Sequence, residues 1–313
     1  MTKTKQGINK YPLWLALLLL FAGHAGGAVL PLGEARALFD IDGGTATQLS
    51  LPSDVATTRE RVYVVDGGNH RIAVFDRQGK YLFAMGREGE GPGELTAPVG
   101  IALDEQGRVY VADRGNGRIE VFGSAGNPLR SLQLKHQDGS PVRPIDVAVE
   151  ADGQRLYITS NDRHSVLVVD ATGRWIREWG SNGAEEGDFR YPATITFTRE
   201  GKLAVTDVLN TRIQLFEKNG DFLVQVGRWG VLPGQLFRPK GIAVDRQGHL
   251  LVSDSYLGVV QAFSDDGTFL YILGSKNQPH RLGTPVGMTV DNENRLYVVR
   301  MQENKVSVFA LGN

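Results

Sequence analysis

An all-β ring of six four-stranded antiparallel blades, a closed β-propeller, is the fold class this sequence predicts, and three observations predict it. Pro52, Pro98, Pro144, Pro192, Pro239 and Pro285 recur at intervals of 46, 46, 48, 47 and 46 residues, each opening a short apolar stretch. Between them, further short apolar stretches are separated by Gly-bearing polar turns, the pattern of strands and hairpins. The last unit is incomplete, and the piece it lacks stands at the other end of the chain.

The first strand of each unit follows its proline. Gly100–Leu103, Asp146–Val149, Gly241–Val244 and Gly287–Val290 are largely apolar without alternation, which predicts strands buried on both faces. Proline at the strand start forfeits no ladder bond there. This strand is expected innermost, lining the axial channel. Next come the turns DEQGR (104–108), ADGQR (151–155), TREGK (198–202) and DRQGH (245–249), where Gly supplies the positive φ of a tight hairpin. Second strands such as Val109–Ala112 and Leu203–Thr206 lead through a polar hairpin to third strands such as Ile119–Phe122 and Ile213–Phe216. A second Gly turn (76–80, 170–174, 217–221) precedes the outer strands Tyr81–Met85, Trp175–Trp179 and Phe222–Val226.

After Val306–Phe309 only four residues remain, too few for a Gly turn and a fourth strand. Ala37–Ile41, followed by Gly43, Gly44 and Leu49, matches Tyr81–Met85 and the loop ending at Leu95. The segment 35–42 is therefore expected to complete blade six, because an open ring would leave two unpaired sheet edges. Phe39 and Ile41 should face the neighbouring blade and together contribute about 3–6 kcal/mol. The blades fall at about 51–95, 96–140, 141–189, 190–236, 237–282 and 283–313 plus 35–42, one domain over 29–313.

With 313 residues, 41% of them hydrophobic, and no cysteine, the chain can bury a core without disulfide staples. Its formal charge is −1, and three units more negative without Lys3, Lys5 and Lys10, which argues against a nucleic-acid partner. Those lysines, the apolar Pro12–Phe21 and the small residues up to Ala28 read as an export signal over 1–28. The expected location is periplasmic or extracellular. An uncleaved anchor running to about Leu32 is the alternative, and the only membrane link foreseen.

The hairpin between second and third strands carries the most specific pattern: VVDGGNHRIAVF at 64–75, VADRGNGRIEVF at 111–122 and VTDVLNTRIQLF at 205–216. Together with the loops Gly86–Leu95, Gly180–Phe189 and Gly227–Leu236, this phrase resembles the NHL repeat family over about residues 35–313. The resemblance implies a six-bladed propeller. Some members bind RNA on a strongly basic face, which this balance of charge does not offer. Read from the residues themselves, Asp66, Asp113 and Asp207 accept turn N–H groups. Asn69, Asn116 and Asn210 are expected in the left-handed conformation, and Arg71, Arg118 and Arg212 should pair with the carboxylates. Blade 3 departs with Ser160, Arg163 and Ser165, blade 5 with Asp254, Leu257 and Val259, and blade 6 with Arg300, Glu303 and Lys305.

The inner-strand entrances and the adjoining hairpins share one predicted rim. Arg143, Arg163, Tyr191, Arg228, Trp229, Arg238, Lys240, Tyr256 and Arg300 concentrate cations and aromatic rings there, which suits an anionic or peptide partner. For a metal, Asp54 and Asp146 at inner-strand entrances are weak candidates for a channel Ca²⁺, and no His occupies such an entrance. Related propeller enzymes, the peptide-amidating lyases, use channel His ligands that have no counterparts assignable here. Neither a nucleophile elbow, a P-loop nor an H-E-x-x-H motif is present, so no residue is assigned a catalytic role. The leading expectation is an exported, non-catalytic binding or scaffold propeller with a protein or peptide partner. A lyase- or lactonase-like enzyme with a channel Ca or Zn, and a membrane-tethered sensor domain, are the alternatives.

Overall fold

Blade 1 shows how the repeat folds. Its strands Pro52–Thr57, Arg61–Asp66, Arg71–Asp76 and Tyr81–Met85 pair antiparallel in that order. The architecture comes from a computed structural model, which describes residues 30–45 and 47–312; the expected export signal lies outside the described residues. Blades 2, 3 and 4 repeat the same four-stranded order. Inner strands of all six blades contact their neighbours on both sides, so the ring is closed.

Closure is made by the strand Leu32–Ile41. It pairs antiparallel with Lys305–Leu311, from Ala35↔Leu311 to Ile41↔Val306, and so supplies blade 6 with its outer strand. The strand starts earlier than the sequence predicted, and its first residues do a second job. Leu32–Glu34 pair in parallel with Ile272–Gly274 of the outer strand of blade 5, welding two blades into one sheet. Ile41 is fully buried among Val55, Val62 and Phe75 of blade 1. Phe39 is only half-buried, so the fully buried closing residues are Ile41 and Ala35.

Burial along a blade differs from expectation. The inner strand Pro98–Leu103 mixes buried and half-buried residues, whereas Val109–Asp113 and Arg118–Phe122 are buried throughout. One side of an inner strand meets the open channel, while the second and third strands are sandwiched between neighbouring blades. The interface between blades 1 and 2, for example, is filled by Tyr63, Ile72, Met85 and Leu95 against Ile101, Val109 and Phe122.

Each inner strand also carries a bulge just after its proline. In blade 1 the register passes from Pro52↔Asp66 to Val55↔Val64, and the other five blades shift at the same place. An extra residue re-aims side chains. In blades 1 and 3 the re-aimed position holds Asp54 and Asp146. Opposite them stand glycines: a Cβ on Gly287 would collide with Asp54, and one on Gly100 with Asp146.

Candidate functional site

We call upper the face that carries the inter-blade loops and the hairpins between second and third strands. A charged network builds three of its sectors, those of blades 1, 2 and 4. The Nε atoms of Arg71, Arg118 and Arg212 donate to Asp66, Asp113 and Asp207 at 2.7, 2.9 and 2.9 Å. Asn69, Asn116 and Asn210 donate to the same carboxylates at 2.8, 2.7 and 2.8 Å. The asparagines are not left-handed, contrary to expectation. That conformation falls on the next residue, His70 (φ 53°), Gly117 (φ 64°) or Thr211 (φ 55°). The Asn amide is thereby free to cross-link the hairpin to the loop above, as from Asn116 to the Gly89 carbonyl and from Asn210 to Gly183. Arg118 also donates to the carbonyls of Glu90, Gly91 and Glu94. The nine hairpin residues of the phrase therefore hold loops in place.

Blade 3 replaces this network. Ser165 stands at the arginine's position and donates to Glu178, while the buried His136 of the preceding loop places Nδ1 2.9 Å from Glu178 and Nε2 3.1 Å from Asp162. Arg163 pairs with Asp138 and donates to Ser140 at 2.8 Å. In blade 6, Arg300 donates to the Leu282 carbonyl at 2.8 Å and lies 3.5 Å from Glu303. Both arginines, expected on a free rim, are thus occupied within the fold. Arg143 is exposed at the entrance of blade 3.

Blades 4 and 5 differ. Trp229 is 70% exposed, Leu209 55%, Tyr191 51%, Tyr256 51% and Leu232 43%, all on upper-face loops or hairpins. Tyr191 packs edge-on against His164 at 5.2 Å, and Tyr256 stacks on Phe237 at 4.2 Å. Trp229 bridges to Leu236, whose N–H donates to the Arg228 carbonyl at 2.8 Å. Among the described residues, the side chains of Arg190, Arg228, Arg238 and Lys240 have no ion pair or hydrogen bond. The fold therefore brings Arg228, Trp229, Arg238, Lys240 and Tyr256 into one sector and sets Tyr191 in the next. Sequence reasoning missed Leu209, Leu232, Phe237 and Arg190. A signal existed: loop 227–236 has no acidic residue, whereas loop 86–95 has Glu88, Glu90 and Glu94.

Asp54 and Asp146 line the channel, a cavity of about 270 Å³. Asp54 accepts N–H bonds from Val55 at 2.9 Å and from Ile101 of blade 2 at 3.1 Å. Asp146 accepts from Val147 at 2.8 Å and from Ile195 of blade 4 at 2.9 Å. Each carboxylate is a staple between inner strands. Burial pushes the Asp54 carboxyl up to about 7. Burial, then the neighbouring Asp54 charge, pushes Asp146 up as well. Among the described residues no group of three or more His, Cys, Asp or Glu is placed to hold a metal ion. At the lower end of the channel a wide concavity of about 1230 Å³ is lined by Thr57–Glu60, Leu103–Gly107 and Val149–Ala151 with Phe197, Gly201 and Lys218. Lys218 bridges to Glu150 across the lining at 3.1 Å, and Asp104 pairs with Arg108. Its open, mixed lining presents no convergent set of groups.

Fold and upper face define a class: a closed six-bladed β-propeller, three of whose blades carry Asp-Asn-Arg hairpins. A family profile described as a 6-bladed beta-propeller matches residues 46–146. The Drosophila melanogaster protein brain tumor is 23% identical over 177 residues, 56% of this chain and 12% of that protein. The human E3 ubiquitin-protein ligase NHLRC1 is 28% identical over 79 residues, 25% of this chain and 20% of that protein. The matches thus span a fifth or less of these curated relatives. Among solved structures, a streptogramin B lyase superposes with a TM-score of 0.65 at 15% identity, covering 88% of this chain and 98% of that one. A gluconolactonase from Xanthomonas campestris gives 0.63 at 19% identity, covering 91% and 99%. At such identities the superpositions establish the fold alone. The chain is a six-bladed β-propeller with sequence similarity to NHL-repeat proteins.

Proposed function

We propose that this chain is an exported binding propeller that engages a protein or peptide partner through the upper face of blades 4 and 5. One observation carries the reading: Trp229, 70% exposed, shares the upper face of blades 4 and 5 with four further exposed large side chains, Leu209, Tyr191, Tyr256 and Leu232. Clustered exposed apolar surface marks interaction sites, and Trp, Tyr and Arg are the residues that anchor them. The NHL relatives, one of them named as a ligase acting on proteins, support a protein partner. Residues 1–28 support export, followed by release or by tethering if the segment is retained.

The test is site-specific photo-cross-linking in the native host, with a photoreactive residue at Trp229 and, as control, at the exposed Leu129 on the outer rim. A discrete protein adduct from position 229 and none from 129 is expected. Equal labelling from both, or from neither, rejects the face. The enzymatic alternative makes a separate demand: purified protein should hold stoichiometric Ca or Zn, and Asp54→Asn should release it.

A further inference from the structure

We infer that the entrance of blade 5 is a carboxylate-binding socket, built by Arg238 and Lys240, for an acidic segment of peptide with an apolar residue beside it. The inference rests on the binding reading above and adds the chemistry of the ligand.

Lys240 is the first residue after the entrance proline. The same position holds Ser53, Val99, Ile145, Ala193 and Val286 in the other blades, so the fold does not require a cation there. It is half-buried, and burial, with the charge of Arg238, lowers its ammonium below the usual lysine range. Two cations stand next to each other, and among the described residues no carboxylate engages either side chain; the nearby Asp254 carboxylate is taken up by backbone N–H groups, that of Arg238 among them at 3.0 Å. A partly desolvated, unpaired charge is unfavourable. A carboxylate placed between them forms charge-assisted hydrogen bonds and relieves the repulsion.

The surroundings select for that ligand. Loop 227–236, hairpin 255–258 and loop 275–284 contain no Asp or Glu. In loop 86–95 the counterpart of Arg228 is Arg87, which pairs with Glu94 at 2.9 Å. Here Gln235 takes the place of Glu94 and bonds the Leu232 N–H at 3.1 Å, which leaves Arg228 unpaired. The loss of one acidic side chain thus supplies a third cation to the same sector. Beside it, the stacked Phe237 and Tyr256, with Trp229 and Leu232, form an apolar shelf for a neighbouring side chain of the peptide.

The experiment uses the full propeller and capped heptapeptides that alternate glutamate with phenylalanine and leucine, titrated by calorimetry. The glutamate peptide is expected to bind, and to weaken several-fold as salt is raised. Its glutamine analogue is expected to bind about tenfold or more weakly, as is the glutamate peptide to Lys240→Met, a variant that melts no lower than the parent. A variant losing binding only because it lost structure would melt lower. Equal affinity for the glutamine analogue, unchanged affinity in Lys240→Met, or equal Lys240-dependent binding of a short oligothymidylate overturns the socket. If cross-linking from Trp229 succeeds while every glutamate peptide fails, the ligand class is wrong and the face stands. If the peptide binds and cross-linking fails, the socket stands and the protein-partner reading falls.

Discussion

Loops Gly86–Leu95 and Gly227–Leu236 share one backbone and carry opposite chemistry. In each, the second glycine has φ +150° (Gly89, Gly230), and a parallel bridge joins Glu88 to Leu95 or Trp229 to Leu236. The bonds Leu95 N–H to Arg87 O and Leu236 N–H to Arg228 O are both 2.8 Å. Gly93 donates to Glu120 at 2.7 Å, and Gly234 to Gln261 at 2.8 Å. On this common frame one loop presents Glu88, Glu90 and Glu94, the other Trp229, Val231 and Gln235. The frame is set by buried and backbone contacts, so outward positions vary without cost to the fold. Under the proposed function, departure from the repeat, rather than the repeat itself, marks the binding face.

The frame itself is broken most completely by opening the ring. Deleting residues 30–41 removes the outer strand of blade 6 and its link to blade 5. Loss of cooperative thermal unfolding, or oligomers in size-exclusion chromatography, is expected; an unchanged melt contradicts the closure. Next in size is the contrast between blades 4 and 5. Asp207→Ala takes away the carboxylate paired with Arg212, whose side chain is 6% exposed, and should cost about 3–5 kcal/mol in denaturant unfolding. Asp254→Ala removes an acceptor for the N–H groups of Phe237, Arg238, Tyr256 and Leu257 but strands no cation; about 1–3 kcal/mol is expected. Equal losses would deny that the two sectors are built differently.

A smaller effect follows from the channel staples. An unfolded aspartate titrates near about 3.9, and folded Asp54 near about 7. Between these values the folded protein holds a proton that the unfolded chain has released, so this stabilising contribution is present at low pH and lost as pH rises toward about 7. Melting temperature should therefore fall between about pH 5 and 7, and Asp54→Asn should flatten that slope. The smallest change sharpens the loop comparison directly. Gln235→Glu recreates the Arg87–Glu94 pair at Arg228, stabilising by at most about 1 kcal/mol. It should also weaken the glutamate peptide several-fold in calorimetry, since it places a carboxylate in a loop that has none.

Much of the ring was legible beforehand because its signals are local. A proline at a strand start, a glycine in a turn and a short apolar run each report on a few neighbouring residues. The outer strands Tyr81–Met85, Trp175–Trp179 and Phe222–Val226 accordingly match the expected bounds. The weld of Leu32–Glu34 to blade 5 was not legible, since nothing in those residues names a partner some 240 positions away. Nor was the role of Asn69, Asn116 and Asn210, where two local uses of asparagine compete and the loop above decides between them. On the upper face, composition showed the cations of blades 3 to 6 but not their state. Arg163 and Arg300 are quenched by Asp138 and Glu303, whereas Arg238 and Lys240 are left without a counter-charge.

By itself, then, the chain's order of residues determined the number of blades, their strand sequence and the need to close on the N-terminal segment, because periodic short-range patterns encode strands and turns. Only the assembled ring decided which charges are cancelled and which face outward unpaired. Charge pairing depends on distance across blades and on exclusion of water, and neither exists until distant segments meet.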